Sequence, residues 1–351
     1  MRNVLFAVVI LLMAFLIYVY PLNILGHLLF GTKVVEPAAL FPTIGTALVV
    51  FGYFRTHGTS PLLSGFAHYG MGLGFIGFCV FNVGLLVSLA LPQMTVEIGT
   101  ICLAVFLITC IKSLHNGQKL TVKTLDISSK NIKKPVKMVF ISDVHLGSNK
   151  RQHLENICER MSDLAFDHLL IGGDLFDSSA FAAEDLTPLK AIQQPIHFVT
   201  GNHEYYVRNH ERKVADLQHY NITTLDNEAV QIDELNIIGV SDNQAPKKQA
   251  EIAKGLIDQD KFNLLLVHQP GMWDHAPERT DLMLSGHTHN GQIFPFNFLV
   301  RLQFKTVYGL YERLHSVLYV SSGSGTWGPR MRLGTQNEII HIILTPQQDV
   351  P

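Results

Sequence analysis

Seven side chains of metal-binding types stand at the ends of short apolar segments in the C-terminal two thirds of the chain. Two are Asp, one is Asn and four are His, and a further His lies beside the Asn. In chain order they read Asp143-Val144-His145, Gly173-Asp174, Gly201-Asn202-His203-Glu204, Val267-His268 and Gly286-His287-Thr288-His289. These donors are enough for two adjacent divalent cations, which is the inventory that two-metal hydrolysis of a phosphoester requires.

Each of the five segments follows directly on an apolar run that is typical of a buried strand. The runs are Val139–Ser142, Leu169–Gly172, His197–Thr200, Leu264–Val267 and Asp281–Ser285. Side chains held at strand ends by a rigid sheet converge on one edge, which is the usual place for a site in α/β folds. We therefore expect the seven side chains to meet.

The elements that must position these side chains are strands and helices that alternate at first, and then strands that follow one another. Strands are predicted at about 136–141, 168–171 and 196–200, with helices at about 150–164 and 183–193 between them. Later strands follow one another closely, at about 229–232, 236–240, 263–267, 281–285, 317–321 and 337–344. This order predicts two packed β-sheets flanked by helices, an α/β sandwich over residues 136–345.

The first third of the chain is of a different class. Residues 1–111 contain five of the 56 Lys, Arg, Asp and Glu side chains in the 351-residue sequence. Four apolar runs, at about 4–20, 38–54, 66–91 and 96–111, are each near the ~20 residues that cross a bilayer as a helix. We predict an N-terminal four-helix transmembrane domain over residues 1–111.

Residues 112–135 are predicted as a basic, membrane-proximal connector, within which residues 120–127 alternate like a half-buried strand. With the N-terminus inside, the short inner segments carry five cations and the outer ones only Lys33. This bias favours a cytoplasmic catalytic domain on a bacterial inner membrane, and a span count wrong by one reverses it. The net charge of −2 leaves no basic field, so no nucleic-acid partner is expected.

The motifs D-x-H, G-D, G-N-H-E, H and G-H-x-H in this order resemble the calcineurin-like metallophosphoesterase superfamily over residues 136–345. Gly286–Gln292 and Gly323–Gly328 resemble its membrane-associated branch, which often has Gly where this chain has Asn290. The resemblance implies that His203 is not a ligand but faces the phosphate, as proton donor to the leaving group or as a charge stabiliser. It implies these ligands: Asp143, His145 and His289 for the first metal, Asp174 bridging, and Asn202, His268 and His287 for the second.

Mixed imidazole, carboxylate and amide donors suit Mn, Fe or Zn better than Mg or Ca, and we expect two divalent ions, with Mn first among them. Water shared by two cations loses a proton near neutral pH, and the resulting hydroxide attacks phosphorus in line. The expected reaction is hydrolysis of a phosphodiester or pyrophosphate bond.

Several residues near the motifs allow two interpretations of their role. Asp177 either orients a ligand His or caps the next helix, and Glu204 caps or supports the His203 turn. Arg330 or Arg332 either binds a phosphate or is a plain surface residue. The aromatic-rich residues 291–314 either pack on the domain's own core or form an apolar lip that leans on the bilayer or holds an acyl chain.

The leading hypothesis is a membrane-anchored phosphoesterase for a lipid-linked or nucleotide-linked substrate, with enzymes that cleave UDP-2,3-diacylglucosamine as an analogy. One alternative is a general phosphodiesterase or phosphoprotein phosphatase whose spans only anchor it. A nuclease is disfavoured by the charge. A catalytically inactive membrane scaffold or sensor is disfavoured because no ligand position is missing. The oligomeric state is not predicted.

Overall fold

The computed structural model describes residues 2–56 and 58–347. The chain forms two compact units. One runs up to Asn116 and includes Gly328–Leu333, and the other contains Gly117–Trp327 and the chain from Gly334 onward.

The first unit is helical. Its elements are α1 Arg2–Met13, a π-helical turn Ala14–Val19, α2 Tyr20–Phe30, α3 Leu40–Thr56, α4 Pro61–Ala90 and α5 Thr95–Asn116, with 3₁₀ turns at Pro37–Ala39 and Pro92–Met94. Among the described residues, four helical runs are long and apolar enough to cross a membrane: Leu5–Phe30, Pro37–Thr56, Pro61–Ala90 and Pro92–Asn116. The prediction of four spans is confirmed.

The end predicted for the first span near Tyr20 is wrong, because the helix continues to Phe30. Pro21 lies just after the π-helical turn, at the start of α2. A proline lacks the amide hydrogen of the regular helix ladder, and a local change of helix type lets the chain pass it.

The second unit is built on two six-stranded sheets. Its strands are β1 Leu120–Ser129, β2 Val136–Ile141, β3 His168–Ile171, β4 Ile196–Phe198, β5 Ile222–Thr224, β6 Glu228–Ile232, β7 Leu235–Val240, β8 Phe262–Val267, β9 Leu282–Ser285, β10 Gly309–Arg313, β11 Ser316–Val320 and β12 Asn337–Pro346. Its helices are α6 Arg151–Ser162, α7 Asn202–Tyr206, α8 His210–Ala215, α9 Pro246–Leu256 and α10 Phe296–Gln303, with 3₁₀ segments at Ala183–Ala191, Asp216–Tyr220, Pro270–His275 and His289–Gly291.

The first sheet has the order β1-β12-β2-β3-β4-β5 and the second β10-β11-β9-β8-β7-β6. In the first sheet β2, β3, β4 and β5 are mutually parallel, and in the second β7, β8 and β9 are. Parallel neighbours end at a common edge, so the loops after β2, β3 and β4 emerge together, as do those after β8 and β9.

Alternation along the strands creates three apolar layers. Met138 and Phe140 of β2 face the second sheet and pack with residues such as Leu264. Val139 and Ile141 face the opposite way, towards α6 and the 3₁₀ segments. A third cluster lies between the second sheet and α9. The predicted α/β sandwich of two sheets flanked by helices is confirmed.

Several elements differ from the sequence-based expectation. The predicted connector is not a separate segment. Its first residues form the last turns of α5, and Leu120–Ser129 form β1, which pairs in parallel with β12 along ten residues. The helix predicted at 183–193 is a 3₁₀ segment, since Pro188 inside it lacks a donor amide. The strands β5 and β10 were not predicted, and α10 occupies part of the aromatic-rich segment.

Candidate metal centre

Hydrogen bonds join the five strand-end loops to one another. Asp143 N donates to Gly173 O at 3.0 Å and His145 N to Asp174 O at 2.9 Å, which ties the loop after β2 to the loop after β3. Gly286 N donates to His268 O at 2.9 Å and ties the loops after β8 and β9. His287 N donates to Asp143 Oδ1 at 3.0 Å and His203 N to Asp174 Oδ1 at 2.9 Å, so the five loops form one framework.

Asp143, His145 and His289 form the first group of candidate ligands. The two Nε2 atoms of His145 and His289 are 3.1 Å apart. Asp143 Oδ1 lies 3.4 Å from His289 Nε2 and 3.9 Å from His145 Nε2. All three residues are buried, so three donor atoms of the types that bind transition metals face a common point.

Asp174, His268 and His287 form the second group. Asp174 Oδ2 lies 3.1 Å from His268 Nε2, which in turn lies 3.3 Å from His287 Nδ1. The same Asp174 oxygen is 3.7 Å from His145 Nε2 in the first group. Asp174 thus stands between the two groups.

Asn202 begins α7, directly after the loop that follows β4. Its Oδ1 atom is buried and has no hydrogen-bond partner among the residues that the structure describes. A buried carbonyl oxygen without a partner is costly unless another group satisfies it, and a cation is such a group.

The backbone at these positions is unusual. Five of the candidate ligands have positive φ, between 50° and 71°, a region that non-glycine residues seldom adopt. They are Asp143, His145, Asp174, His287 and His289. The approach of the loops is also close, because a Cβ on Gly286 would lie 2.2 Å from Asp143 Oδ2. Strained backbone held by its surroundings is concentrated at functional sites.

Charge at the centre is arranged around the two central carboxylates. Within the described residues, each ion-pair contact of Asp143 and Asp174 is with a histidine. Burial opposes ionisation of Asp174, but His268 and His203 hold its pKa well below the ordinary value. Burial also raises the pKa of Asp143, and the Asp174 charge raises it further. Buried carboxylates without Lys or Arg partners suit bound cations.

The pKa values of the ligand histidines also shift in opposite directions. Burial lowers the pKa of His287 to about 3, helped by the charge of His268, so His287 is neutral and ready to donate an electron pair. Burial also opposes charge on His268, but the Asp174 carboxylate holds the pKa of His268 well above its ordinary value. His268 must therefore release a proton when a cation binds. The donor set fits two divalent ions.

Asp177 lies behind His145 on the side away from Asp143. Its Oδ2 atom is 3.2 Å from His145 Nδ1, and its carboxylate accepts hydrogen bonds from the N–H and hydroxyl of Ser148 at 2.9 and 2.6 Å. No helix begins at Asp177. Of the two readings, the geometry favours the one in which Asp177 orients a ligand histidine.

Glu204 is fully buried and joins two of the loops. Its carboxylate accepts the main-chain N–H groups of Asp174 at 3.0 Å, Phe176 at 3.1 Å and Gly201 at 2.7 Å. Burial and the Asp174 charge raise its pKa to about 8. The expected support of the His203 turn therefore extends to the loop after β3.

His203 forms a third group with His145 and Asp174, and the possible ligand atoms of the three lie within 4.8 Å of one another. Its role as a non-ligand therefore stays a prediction. Its main-chain N–H donates to Asp174 Oδ1 at 2.9 Å, and its ring centroid is 4.8 Å from that of His145. Burial lowers its pKa. Two partly exposed rings flank it, Tyr206 at 5.4 Å and Trp327 at 5.8 Å. Sequence reasoning missed Tyr206, although its position three residues after His203 on α7 was a usable signal.

Arg330 and Arg332 belong to the first unit. Arg332 is fully buried, and its main-chain N–H donates to Ser113 O near the end of α5 at 2.8 Å. The surface reading of Arg332 is therefore wrong. A phosphate contact by Arg330 stays a prediction.

Comparison with known proteins identifies the family to which the chain belongs. A model described as calcineurin-like phosphoesterase matches residues 136–291. A protein from Campylobacter jejuni, named an uncharacterized metallophosphoesterase, is 35% identical over 71% of this chain and 69% of its own length. This chain belongs to the calcineurin-like metallophosphoesterase family. A Helicobacter pylori metallophosphoesterase is 37% identical over 64% of this chain and 64% of its own length.

A Bos taurus relative named transmembrane protein with metallophosphoesterase domain is 35% identical over 60% of this chain. The match covers 53% of that protein, so this chain spans about half of its length. Four apolar helices and such a relative agree with a membrane protein. The family confirms the predicted class, a metal-dependent hydrolase of phosphoester bonds whose members use a binuclear metal site.

Proposed function

We propose that this protein is a membrane-anchored enzyme that hydrolyses a phosphodiester or pyrophosphate bond in a lipid-linked or nucleotide-linked substrate. The observation that carries the proposal is the shared position of Asp174, with one oxygen within 3.7 Å of His145 Nε2 and 3.1 Å of His268 Nε2. A bridging carboxylate holds two cations at the ~3.5–4 Å separation of two-metal hydrolases. The ligand assignments given above are part of the proposal.

Two bound cations would polarise the phosphoester and lower the pKa of a water molecule between them. The protein supplies the rest. Asp143, Asp174 and the four histidines hold fixed positions because strained loops and main-chain hydrogen bonds set them. The rings of Trp327 and Tyr206 pack beside the His203 ring. His203, held by its N–H bond to Asp174, is placed to donate a proton to the leaving oxygen or to stabilise its charge.

We propose manganese as the native ion, with iron or zinc as alternatives, because four imidazoles, two carboxylates and one amide suit these ions. The excess of Lys and Arg in one set of segments between the spans supports a cytoplasmic catalytic unit on a bacterial inner membrane. Anchoring raises the effective concentration of membrane-borne substrates, which supports a lipid-linked phosphoester.

The deciding experiment is His203→Ala in the full chain. We expect it to keep both metals and to lose turnover by ~10²–10⁴, the scale of a general acid. The matched control is His219→Ala, an exposed histidine outside the centre, which should change neither quantity. Metal content comes from elemental analysis. Turnover is measured with Mn present on a nitrophenyl diester, a monoester, and lipid pyrophosphates with and without acyl chains.

Three outcomes contradict parts of the proposal. Loss of both metals in His203→Ala means that His203 is a ligand. Equal turnover with and without an acyl chain contradicts the lipid preference. Native protein with less than one transition metal per chain contradicts the enzyme proposal and supports a scaffold or sensor.

A further inference from the structure

The helix α10 follows the metal-binding loop after β9 and has an unusual surface. None of its eight residues is buried. Phe298, Leu299 and Leu302 are 57%, 55% and 84% exposed, and Phe294 just before the helix is half exposed. Contiguous exposed apolar surface of this kind marks an interaction site. We call these four residues with Trp327 the apolar lip.

The helix is fixed to the metal-binding loop at both ends. At its start, a Cβ on Gly291 would lie 2.4 Å from Asn297 Cα, so the close approach requires the glycine there, which has φ +74°. At its end, the Phe304 ring lies 5.4 Å from the ring of His287. The exposed face is therefore rigidly placed beside a candidate metal ligand.

Trp327 is held next to the same loop by a side-chain amide. Gln292 Nε2 donates to Trp327 O at 3.0 Å, and Trp327 N donates to Gln292 Oε1 at 3.0 Å. The indole remains 45% exposed and lies beside His203. Large apolar groups of the lip and of the end of α10 thus lie beside the site, next to His203 and His287.

The rest of the chain indicates what covers the lip. Four helical runs in the same chain are long enough to cross a bilayer. Only Gly117–Lys119 separate α5 from β1, and that stretch reaches at most roughly 14 Å. The strand β1 therefore begins within a short reach of the end of a candidate span. Aromatic and Leu side chains with Arg301 among them are the composition of helices that lie in the headgroup region.

We propose that α10 and the apolar lip are seated in the lipid headgroup region, so that the metal centre opens onto the membrane surface. The occupant of the lip is the bilayer itself. The metal centre then receives phosphoester groups at headgroup depth without extraction of the whole lipid. The location of the lip does not depend on the substrate, while its effect on turnover rests on the proposed function.

Tryptophan quenching in vesicles tests the location without any activity. The chain has two Trp residues, so Trp273→Phe with Trp327→Phe gives a silent background. Leu302→Trp is then compared with Leu314→Trp, a control that is 93% exposed at the β10–β11 turn. In full-length protein reconstituted with brominated phosphatidylcholine, we expect position 302 to be quenched at least twofold more than position 314.

Each other result overturns the location. Equal quenching at both positions means that the domain lies against lipid without using the lip. A blue-shifted emission at position 302 without quenching means that protein, such as a second copy, covers the helix. The single-Trp protein Trp273→Phe gives a further check, because native Trp327 must also be quenched.

A second variant connects the lip to turnover. Phe298→Glu with Leu302→Glu should lower hydrolysis of a lipid pyrophosphate in vesicles by roughly 10-fold or more, because two apolar side chains that the proposal places in the bilayer are lost. Hydrolysis of a water-soluble nitrophenyl ester and metal content should stay unchanged, and Leu314→Glu should change nothing. An equal fall on both substrates contradicts the lip's role. If native protein cleaves neither substrate, the proposed function fails while the quenching result stands.

Discussion

The two groups of candidate ligands differ in what lies behind them. In the first, His145 is backed by the Asp177 carboxylate at 3.2 Å and accompanied by Asp143. In the second, His268 Nδ1 contacts the main-chain oxygen of Gly172 at 2.8 Å, and the proposed additional donor is the neutral amide of Asn202. Besides the shared Asp174, the first group therefore has the carboxylates of Asp143 and Asp177 close by, whereas the second has no other carboxylate among its candidate ligands.

This difference predicts unequal affinity. A carboxylate behind a ligand histidine raises the basicity of the imidazole and fixes its orientation. The second group has an acid nearby in Asp242, whose pKa burial raises to about 6 and whose Oδ2 accepts from Gln269 at 2.8 Å. Asp242 makes no ion-pair contact with a ligand histidine among the described residues, and burial disfavours its charged form, so it supports His268 less than Asp177 supports His145. We expect the first group to hold its cation more tightly.

The largest effect should come from the residue that the two groups share. Asp174→Asn removes the bridging charge, so we expect loss of both metals and of turnover by at least ~10²–10⁴. Elemental analysis and turnover measure the two quantities. Asp143→Asn is the matched control, because Asp143 belongs to the first group alone and its loss should leave the second metal in place. A full complement of metal in Asp174→Asn would contradict the shared role.

A smaller effect should separate the groups. Asp177→Asn leaves every ligand in place but removes the charge behind His145, and we expect one of the two metals to bind ~10–100-fold more weakly. Titration against a competing chelator, with two resolved binding steps, measures it. Asp242→Asn is the counterpart and should affect the weaker step. If Asp177→Asn weakens both steps equally, the two groups do not differ in the way described.

The positions of the ligands were readable from sequence because donor residues followed apolar strands. That rule located five loops, and parallel pairing brought them to common edges. The same rule could not give the positive φ of His145 or His289, since even histidine, which is enriched in that region, adopts it only rarely. Contacts made across the sheet, such as His145 N to Asp174 O, hold it there.

The residues behind the ligands were less readable. Asp177 is 32 positions from His145 along the chain, and only the folded loops show which reading of it holds. Glu204 was seen as local support, but its bonds to Asp174 and Phe176 cross between loops. Short elements failed for a related reason, because the three residues of β5 carry no periodic pattern and gain their structure from pairing with β4.

The smallest predicted effect concerns His197, which lies outside both groups of candidate ligands. It sets the lowest pH at which metal binding can be measured on folded protein. His197 in β4 and His168 in β3 are neighbours between the sheets, with ring centroids 5.6 Å apart. Neither ring nitrogen of His197 has a partner among the described residues. Burial, together with the charge of His168, lowers the pKa of His197 to about 4. Burial lowers the pKa of His168 as well, against the charges of Asp167 and Asp233.

The unfolded chain therefore binds more protons than the folded one between pH ~6.5 and ~4, so stability falls as the pH drops through that window and is unaffected above it. For metal-free protein in detergent, we compare the free energy of unfolding of His197→Phe with that of native protein. As the pH falls from 7.5 to 4, we expect the difference to shift by about 2 kcal/mol in favour of His197→Phe. Denaturant midpoints at several pH values measure this, with exposed His219→Gln as control. If the denaturant midpoint changes with pH equally in native protein and in His197→Phe, the acid sensitivity belongs to the metal-binding residues themselves. Loss of metal and loss of fold could then not be separated by pH.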